Sequence, residues 1–312
     1  MKKRVFLTGA SGYLGAVLVD HLLRDPDIDS ITGIGLRPPP GLASSRFHFV
    51  PLDIRSAGVA DAMSGHHVVI HGAAVVLWSA RMPAKERDDI NLNGTRNVAQ
   101  AARKAGIRHF IHVSSMAVYD PYRARGTSDI TEDFPKGGTD PFFYYWSSKA
   151  AAERIVDETL SGSDGIHTAL RPIYIIGPRN RATVCGLREN AVRFPGCDPR
   201  RQFIHEDDVA EAFLHILRNG LEGVYNVTPD DVTRMSEVWK AVGARRVPIV
   251  PVWLALGLTW AKWRFMGSRV HPSWVKDMLV DFTGSNAKLK ATGWSPRHGS
   301  LESVRLAVAG KP

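Results

Sequence analysis

The 312-residue sequence predicts an α/β fold: a doubly wound parallel sheet with a smaller, mostly helical C-terminal lobe. Three observations predict it. Short, nearly all-apolar runs alternate with stretches of helical periodicity over the first 180 residues, the pattern of strands covered on both faces. Glycines 9, 12 and 15 follow the first apolar run and open the first helical stretch. After Gly177 the alternation loosens, and from Asp230 onward the pattern is mainly helical.

Taken in order, residues 5–7 form a first strand, and Ala16, Val17, Val19, Leu22 and Leu23 mark the buried face of a first helix. Strands follow at 31–36, stopped by Pro38, Pro39 and Pro40, then at 47–52 and 68–70. A helix over 91–104 ends at Gly106. Residues 110–113 form the next strand, 144–160 a long helix, and 167–171 a sixth strand closed by Pro172. A helix at 207–217 and a strand at 224–227 come last in this pattern. The expected division is a nucleotide-binding domain over 1–180, with 200–228 returning to it, and a substrate lobe from 181–199 and 229–312.

Composition removes several classes of function. Hydrophobic residues at 44% and charged residues at 23% belong to a packed globular chain rather than a disordered one. The net charge of +9 suits anionic partners, but no run of five basic residues and no groove-reading motif accompanies it, so nucleic acid is not an expected partner. Cys185 and Cys197 have neither zinc-ribbon nor redox spacing, which points to a reducing cytoplasm. The apolar run at the start is broken by Thr8, Gly9, Ser11 and Gly12, unlike a secretory signal. His66, His67 and His71 lack metal-ligand spacing, as does the His205–Asp208 run, which suits a helix N-terminus.

The stretch 248–266 is the most apolar, yet it contains Lys262 and Arg264 and is too short to span a bilayer. With Trp253, Trp260, Trp263 and, further on, Trp274, it has two readings. One is an apolar lid or membrane-surface patch; the other, which we expect, is a helix packed into the smaller lobe.

The glycine turn carries the first chemistry. Gly9 permits a tight turn, Gly12 lets the backbone approach a pyrophosphate, and Gly15 lets helix and strand pack closely. The helix opening at Tyr13 and Leu14 offers free N–H groups to phosphate. Its place at the first strand–helix junction points to a dinucleotide. The acid that normally holds a ribose 2′-hydroxyl about twenty residues on is missing, since the second strand ends Gly33-Ile34-Gly35-Leu36-Arg37. Arg37 then supplies a counter-charge for a 2′-phosphate, favouring NADP over NAD, or it merely stacks on adenine or faces solvent. Asp53 and Ile54 sit where an adenine amino group is read, and Gly72, Ala73 and Ala74 give a small surface beside the cofactor.

Tyr145 and Lys149 lie four positions apart, on one face of a helix. A phenol with a pKa near 10 is a poor base at neutral pH, and a nearby ammonium favours its ionised form. Ser115, just past the fifth strand, is placed to hydrogen-bond the same substrate oxygen at the carboxyl edge of the sheet.

Together these residues resemble the extended short-chain dehydrogenase/reductases, the NAD-dependent epimerase/dehydratase family with its Rossmann-type fold. Thr8 to Gly15 resembles TGxxGxxG, Asn91 to Thr95 NVxGT, Val113 to Tyr119 VSSxxVY, and Tyr145 to Lys149 YxxxK. Arg171-Pro172 with Gly177-Pro178 resembles RPxxxYGP, with Ile176 in place of the Tyr. Arg201 to Val209 resembles RDFIHVDDV, and Gly293 to Pro296 the family's closing motif. The resemblance implies Tyr145 as general acid/base, Lys149 as its activator and ribose ligand, and Ser115 as the orienting hydroxyl. It implies Asn91 as a support for the lysine through water, Pro172 near the nicotinamide, and Arg201 on a substrate phosphate. It also implies a homodimer through the helices starting near Asn91 and Tyr144, with Val98, Ala99, Ala102, Ala151 and Ile155 compatible with the interface.

Met116 and Ala117 stand after Ser115 where family dehydratases carry acids, so no side chain is there to protonate a leaving hydroxyl, and Met116 is expected to touch the substrate. The segment between Pro178 and Arg201 is short, which favours a smaller or more apolar substrate. The expected function is an NAD(P)-dependent oxidoreductase acting on a carbonyl or secondary alcohol; a nucleotide-sugar 4-epimerase is the alternative. A non-catalytic cofactor-binding regulator is a third reading, opposed by the complete Ser–Tyr–Lys set. A serine hydrolase is excluded by the missing GxSxG elbow.

Overall fold

The computed structural model describes residues 2–41 and 44–310. Strands β1 (Lys3–Thr8), β2 (Ile28–Gly35), β3 (Phe47–Pro51), β4 (Val68–His71), β5 (His109–Val113) and β6 (Ile166–Pro172) lie in one parallel sheet. Short strands β7 (Tyr174–Ile176), β8 (Arg200–Arg201) and β9 (Phe203–His205) follow outside it. Then β10 (Gly223–Val227) closes the large sheet beside β6, and β11 (Thr233–Arg234) pairs antiparallel with β8. The seven-stranded order is β3-β2-β1-β4-β5-β6-β10. Chain direction across the sheet reverses between β1 and β4, so a crevice opens at their carboxyl ends, where such folds bind ligands.

Helices cover both faces. They are α1 (Tyr13–Arg24), α2 (Val59–Met63), α3 (Ala84–Asp88), α4 (Gly94–Lys104), α5 (Pro121–Ala124) and α6 (Tyr144–Leu160). After β7 come α7 (Arg181–Glu189), α8 (Glu206–Asn219), α9 (Met235–Ala241), α10 (Val252–Phe265), α11 (Ser273–Asp277), α12 (Ala287–Lys290) and α13 (Ser300–Ala309). Val5, Leu7, Ile31, Ile70 and Ile111 pack under α1 and α8, while Phe6, Val69 and Phe110 pack under α4 and α6 on the other face. This is why the strands read as unbroken apolar runs. Ile176, Phe203, Met235, Val238, Trp239 and Val304 form a separate small core joining β7, β9, α9 and α13.

Two expectations need correction. Val98, Ala99 and Ala102 are wholly buried in the chain's own core, packed with Val156 and Leu160, and Ile155 is buried too. These apolar side chains stabilise the α4–α6 pair within one chain, leaving only Ala151 of that set half-buried. The 248–266 stretch does form a helix, but only one face of α10 packs on the lobe, around Phe194 and Val275, and the other face is bare. The one buried residue of α10 is Ala255, and Trp253 is 73% exposed.

Candidate active site

The turn after β1 is shaped by what glycine lacks. Gly9 has φ +77°, a conformation that favours glycine, and a Cβ there would lie 2.8 Å from the Ala73 nitrogen. A Cβ on Gly15 would lie 2.1 Å from the Gly9 carbonyl oxygen. The N–H groups of Gly9 and Ala10 donate to the Ile34 carbonyl, locking the turn to β2. Helix α1 then starts at Tyr13 with no side-chain cap and no acid in its first turn, so its first N–H groups point out unneutralised. The crevice therefore fits a pyrophosphate: a cradle that any Cβ would fill, next to a bare helix N-terminus.

Tyr13 sends its hydroxyl to Glu206 Oε2 at 2.5 Å, and burial first, then Glu206, pushes its pKa upward. Glu206 is itself buried against Gly177, where a Cβ would stand 2.2 Å from the carboxyl group. It thus ties the glycine turn to α8, a role its sequence context, an acid opening a helix, did not reveal. Leu14 is half-buried against the large core.

Past the end of β2, Arg37 is exposed, and Ser11 donates its hydroxyl to the Arg37 carbonyl. Gly35 leaves this edge of β2 without a side chain, since a Cβ there would meet Ser11 Oγ at 2.6 Å. Asp53 is held by Arg55 at 2.7 Å, and that hydrogen bond lowers its pKa. Ile54 is buried, filling the space that Gly94 leaves beside it. The Gly72 and Ala73 nitrogens both donate to Thr8 Oγ1 at 3.2 Å, Ala74 is exposed, and Pro172 is buried at the end of β6.

Ser115 follows β5, caps the short turn Met116–Val118, and accepts from the Ala117 nitrogen at 3.1 Å. Tyr145 is half-buried in the first turn of α6, with its ring stacked on Trp274 at 5.9 Å and the Ser115 hydroxyl near its phenol. Lys149, one turn on, is buried and donates from Nζ to the Val113 carbonyl at 3.0 Å. Asn91 lies in a π-helical turn, Asp89–Asn93, of the kind often found at functional sites. Its side chain exchanges both hydrogen bonds with Val75 and donates to Tyr144 Oη at 3.2 Å. Tyr145, Lys149, Asn91, His71 and His112 line one cavity of about 10 Å³, the size of a single water molecule.

The electrostatics differ from the sequence expectation. Burial pulls Lys149 down to about 8, with Glu153 opposing, and burial pushes Tyr145 up, with the Ser115 hydrogen bond opposing. The ammonium is spent on the Val113 carbonyl and does not act on the phenol here. His71 is held at about 3, mainly by burial, and bridges Thr8 and Thr95. His112 stacks on His71 at 5.5 Å, and neither of its ring nitrogens has a partner among the described residues.

Two expected substrate contacts sit elsewhere. Met116 is 0% exposed and packs against Gly284, so its thioether belongs to the core. Arg201 is 1% exposed, and its guanidinium donates to the carbonyls of Asp277 and Val280. A substrate phosphate would have to displace those bonds. Trp274 stood out in the sequence only as part of an apolar tail, and His112, inside the fifth apolar run, did not stand out at all.

The sequence profile described as "NAD dependent epimerase/dehydratase family" matches residues 5–228. The chain belongs to that family. Members of this family in other organisms differ in substrate. A UDP-glucose 4-epimerase of Mycolicibacterium smegmatis is 30% identical over 98% of this chain and 97% of its own length. A Stigmatella aurantiaca enzyme, 4-hydroxy-2-methyl-3-oxo-4-farnesyl-3,4-dihydroquinoline-1-oxide ketoreductase, is 30% identical over 72% of this chain and 68% of its own. Against some other relatives the match spans about half of their length. Among solved structures, MoeE5 in complex with UDP-glucuronic acid and NAD superposes with a TM-score of 0.76 at 20% identity, covering 98% of each chain, which shows the shared fold. As a member of this family, the protein is an NAD(P)-dependent enzyme of the extended short-chain dehydrogenase/reductase type, an oxidoreductase working by hydride transfer.

Proposed function

We propose that this enzyme oxidises or reduces one alcohol or carbonyl carbon of an apolar small molecule, with Tyr145 as the group that exchanges the proton. The observation that supports it most is the joint placement of Tyr145, Lys149 and Asn91 on one small cavity, with the Ser115 hydroxyl near the phenol. A nicotinamide dinucleotide, when bound, supplies or accepts the hydride. The glycine turn and the N–H groups opening α1 at Tyr13 and Leu14 hold its pyrophosphate, with Gly72, Ala73, Ala74 and Pro172 lining its path. Asp53 and Ile54 lie at its adenine end. Ser115 and Tyr145 hydrogen-bond the substrate oxygen from two sides, which fixes the carbon above the crevice. Tyr145 gives that oxygen a proton as a carbonyl is reduced, or takes one as an alcohol is oxidised.

Lys149 completes the set. With a cofactor bound, its ammonium would hold the ribose hydroxyls, and a charge near the phenol would offset the upward push of burial. Asn91, fixed by Val75, would support Lys149 through a water in the cavity that they share. Arg37, exposed where an acid is absent, gives a 2′-phosphate its counter-charge, so NADP is the proposed cofactor. We place the enzyme in the cytoplasm as a homodimer, formed through surfaces of α4 and α6 other than the buried apolar set. The apolar substrate class is supported by the Trp274 ring stacked on Tyr145 and by the farnesyl-bearing compound named for the Stigmatella relative. The second reading, a nucleotide-sugar 4-epimerase, is favoured by the full-length similarity to UDP-glucose 4-epimerase. Absorbance of reduced cofactor, followed with a panel of apolar ketones and with NADH and NADPH in parallel, tests the proposal. Turnover of ketones with NADPH is expected. Interconversion of UDP-sugars with no ketone turnover would overturn it.

A further inference from the structure

Helix α10 carries apolar residues all round. Its inward arc, Val252, Ala255, Thr259 and Trp263, rests on the lobe, and of these only Ala255 is fully buried. At 100° per residue the outward arc carries Trp253, Leu254, Leu258, Trp260 and Phe265, each between 37% and 73% exposed. Ile249 before the helix and Met266 after it are 67% and 74% exposed. Monomeric soluble proteins rarely leave so much contiguous apolar surface bare, and such patches mark interaction sites.

Charge says what covers it. From Val238 to Lys276 the chain has seven basic residues and no acidic one. Arg245, Arg246, Lys262, Arg264 and Arg269 are all exposed, and none has an ion-pair partner among the described residues. Tryptophans interleaved with unpaired basic side chains on one exposed helix match the boundary between acyl chains and anionic headgroups. A second copy of this chain would bring like charge against like charge, which opposes that pairing.

The patch also leads to the cleft. Trp263 Nε1 donates to the Trp78 carbonyl at 3.2 Å, and its ring meets His271 at 4.9 Å. His271 contacts Trp78 and Phe142, and Trp274 beyond it stacks on Tyr145. We propose that α10 and its flanks dock this enzyme in the plane of an anionic phospholipid bilayer, holding the mouth of the Tyr145 cleft at headgroup level. The docking is peripheral; no helix among the described residues is long and apolar enough to cross a membrane.

The test is co-sedimentation of the full-length protein with phosphatidylcholine vesicles, with and without phosphatidylserine. It reads binding without any turnover, so it stands or fails separately from the catalytic assignment. The wild type is expected to pellet with phosphatidylserine vesicles and to be released by salt. Lys262→Gln with Arg264→Gln is expected to lower partition about thirtyfold. Trp253→Ser with Trp260→Ser is expected to lower it as well, and both pairs should melt like the wild type because the sites are exposed. Wild-type protein remaining in the supernatant with phosphatidylserine would overturn the proposal, as would equal binding by all three proteins. A dimer that Trp253→Ser dissociates, with no vesicle binding, would overturn it in favour of a contact between copies.

Discussion

Around Glu153 every charge is matched, while around Lys149, one turn earlier on the same helix, polar groups are left short. Glu153 accepts from Arg171, from Ser114 Oγ at 2.6 Å and from Lys136 at 2.8 Å. Arg171 goes on to Tyr119 Oη at 3.0 Å, and Tyr119 donates to Asn226 Oδ1 at 2.6 Å. Burial alone would raise the Glu153 carboxyl, but Arg171 and then Lys136 hold it at about 2. Among the described residues, Lys149 has one carbonyl partner for three N–H groups, a pKa drawn down to about 8, and His112 with two unpaired nitrogens beside it. A closed network of buried charge fixes the frame. An open one, costly to keep, marks where a ligand is meant to complete it.

Breaking each cluster should therefore give opposite results. Glu153→Leu strands the buried Arg171 charge and is expected to destabilise the protein by about 3–5 kcal/mol in denaturant titration. Lys149→Met should fold normally and lose turnover by about a hundredfold, with weaker cofactor binding by fluorescence. Wild-type turnover in that variant would reduce Lys149 to a packed stem.

The comparison also predicts a pH dependence of stability. The folded pKa of His71 is depressed to about 3, so its contribution is present above the unfolded value near 6.5 and is lost as pH falls toward 3. His112 acts with the same sign, and Glu153 adds its loss between its unfolded value and about 2. Stability in urea should fall from pH 7 to pH 5, and His112→Leu should flatten part of that fall. The smallest effect is at Arg37. Arg37→Ala should weaken NADP binding about tenfold, as for one charged hydrogen bond, with NAD binding unchanged.

Much of this was legible in the sequence because the residues concerned admit few alternatives. The strands are buried on both faces, so their apolar runs are unbroken, and the glycine turn tolerates no Cβ at Gly9 or Gly15. The spacing of Tyr145 and Lys149 fixes a shared helix face whatever the surroundings. What pattern could not show depends on partners distant in sequence. The Lys149 ammonium found the Val113 carbonyl, Arg201 found carbonyls near residue 280, and Tyr13 found Glu206. The pairs β7–β9 and β8–β11 are two or three residues long, below the length at which alternation carries a signal. Helix α10 misled for a different reason: a helix apolar all round ordinarily belongs in a core, and only its placement shows the outward arc bare.

The proton-exchange role of Tyr145 is tested most directly by Tyr145→Phe, which removes one oxygen and keeps the ring on Trp274. Single-turnover hydride transfer should slow by about a hundredfold or more while cofactor affinity stays as in the wild type. Transfer at the wild-type rate in this variant would contradict the account.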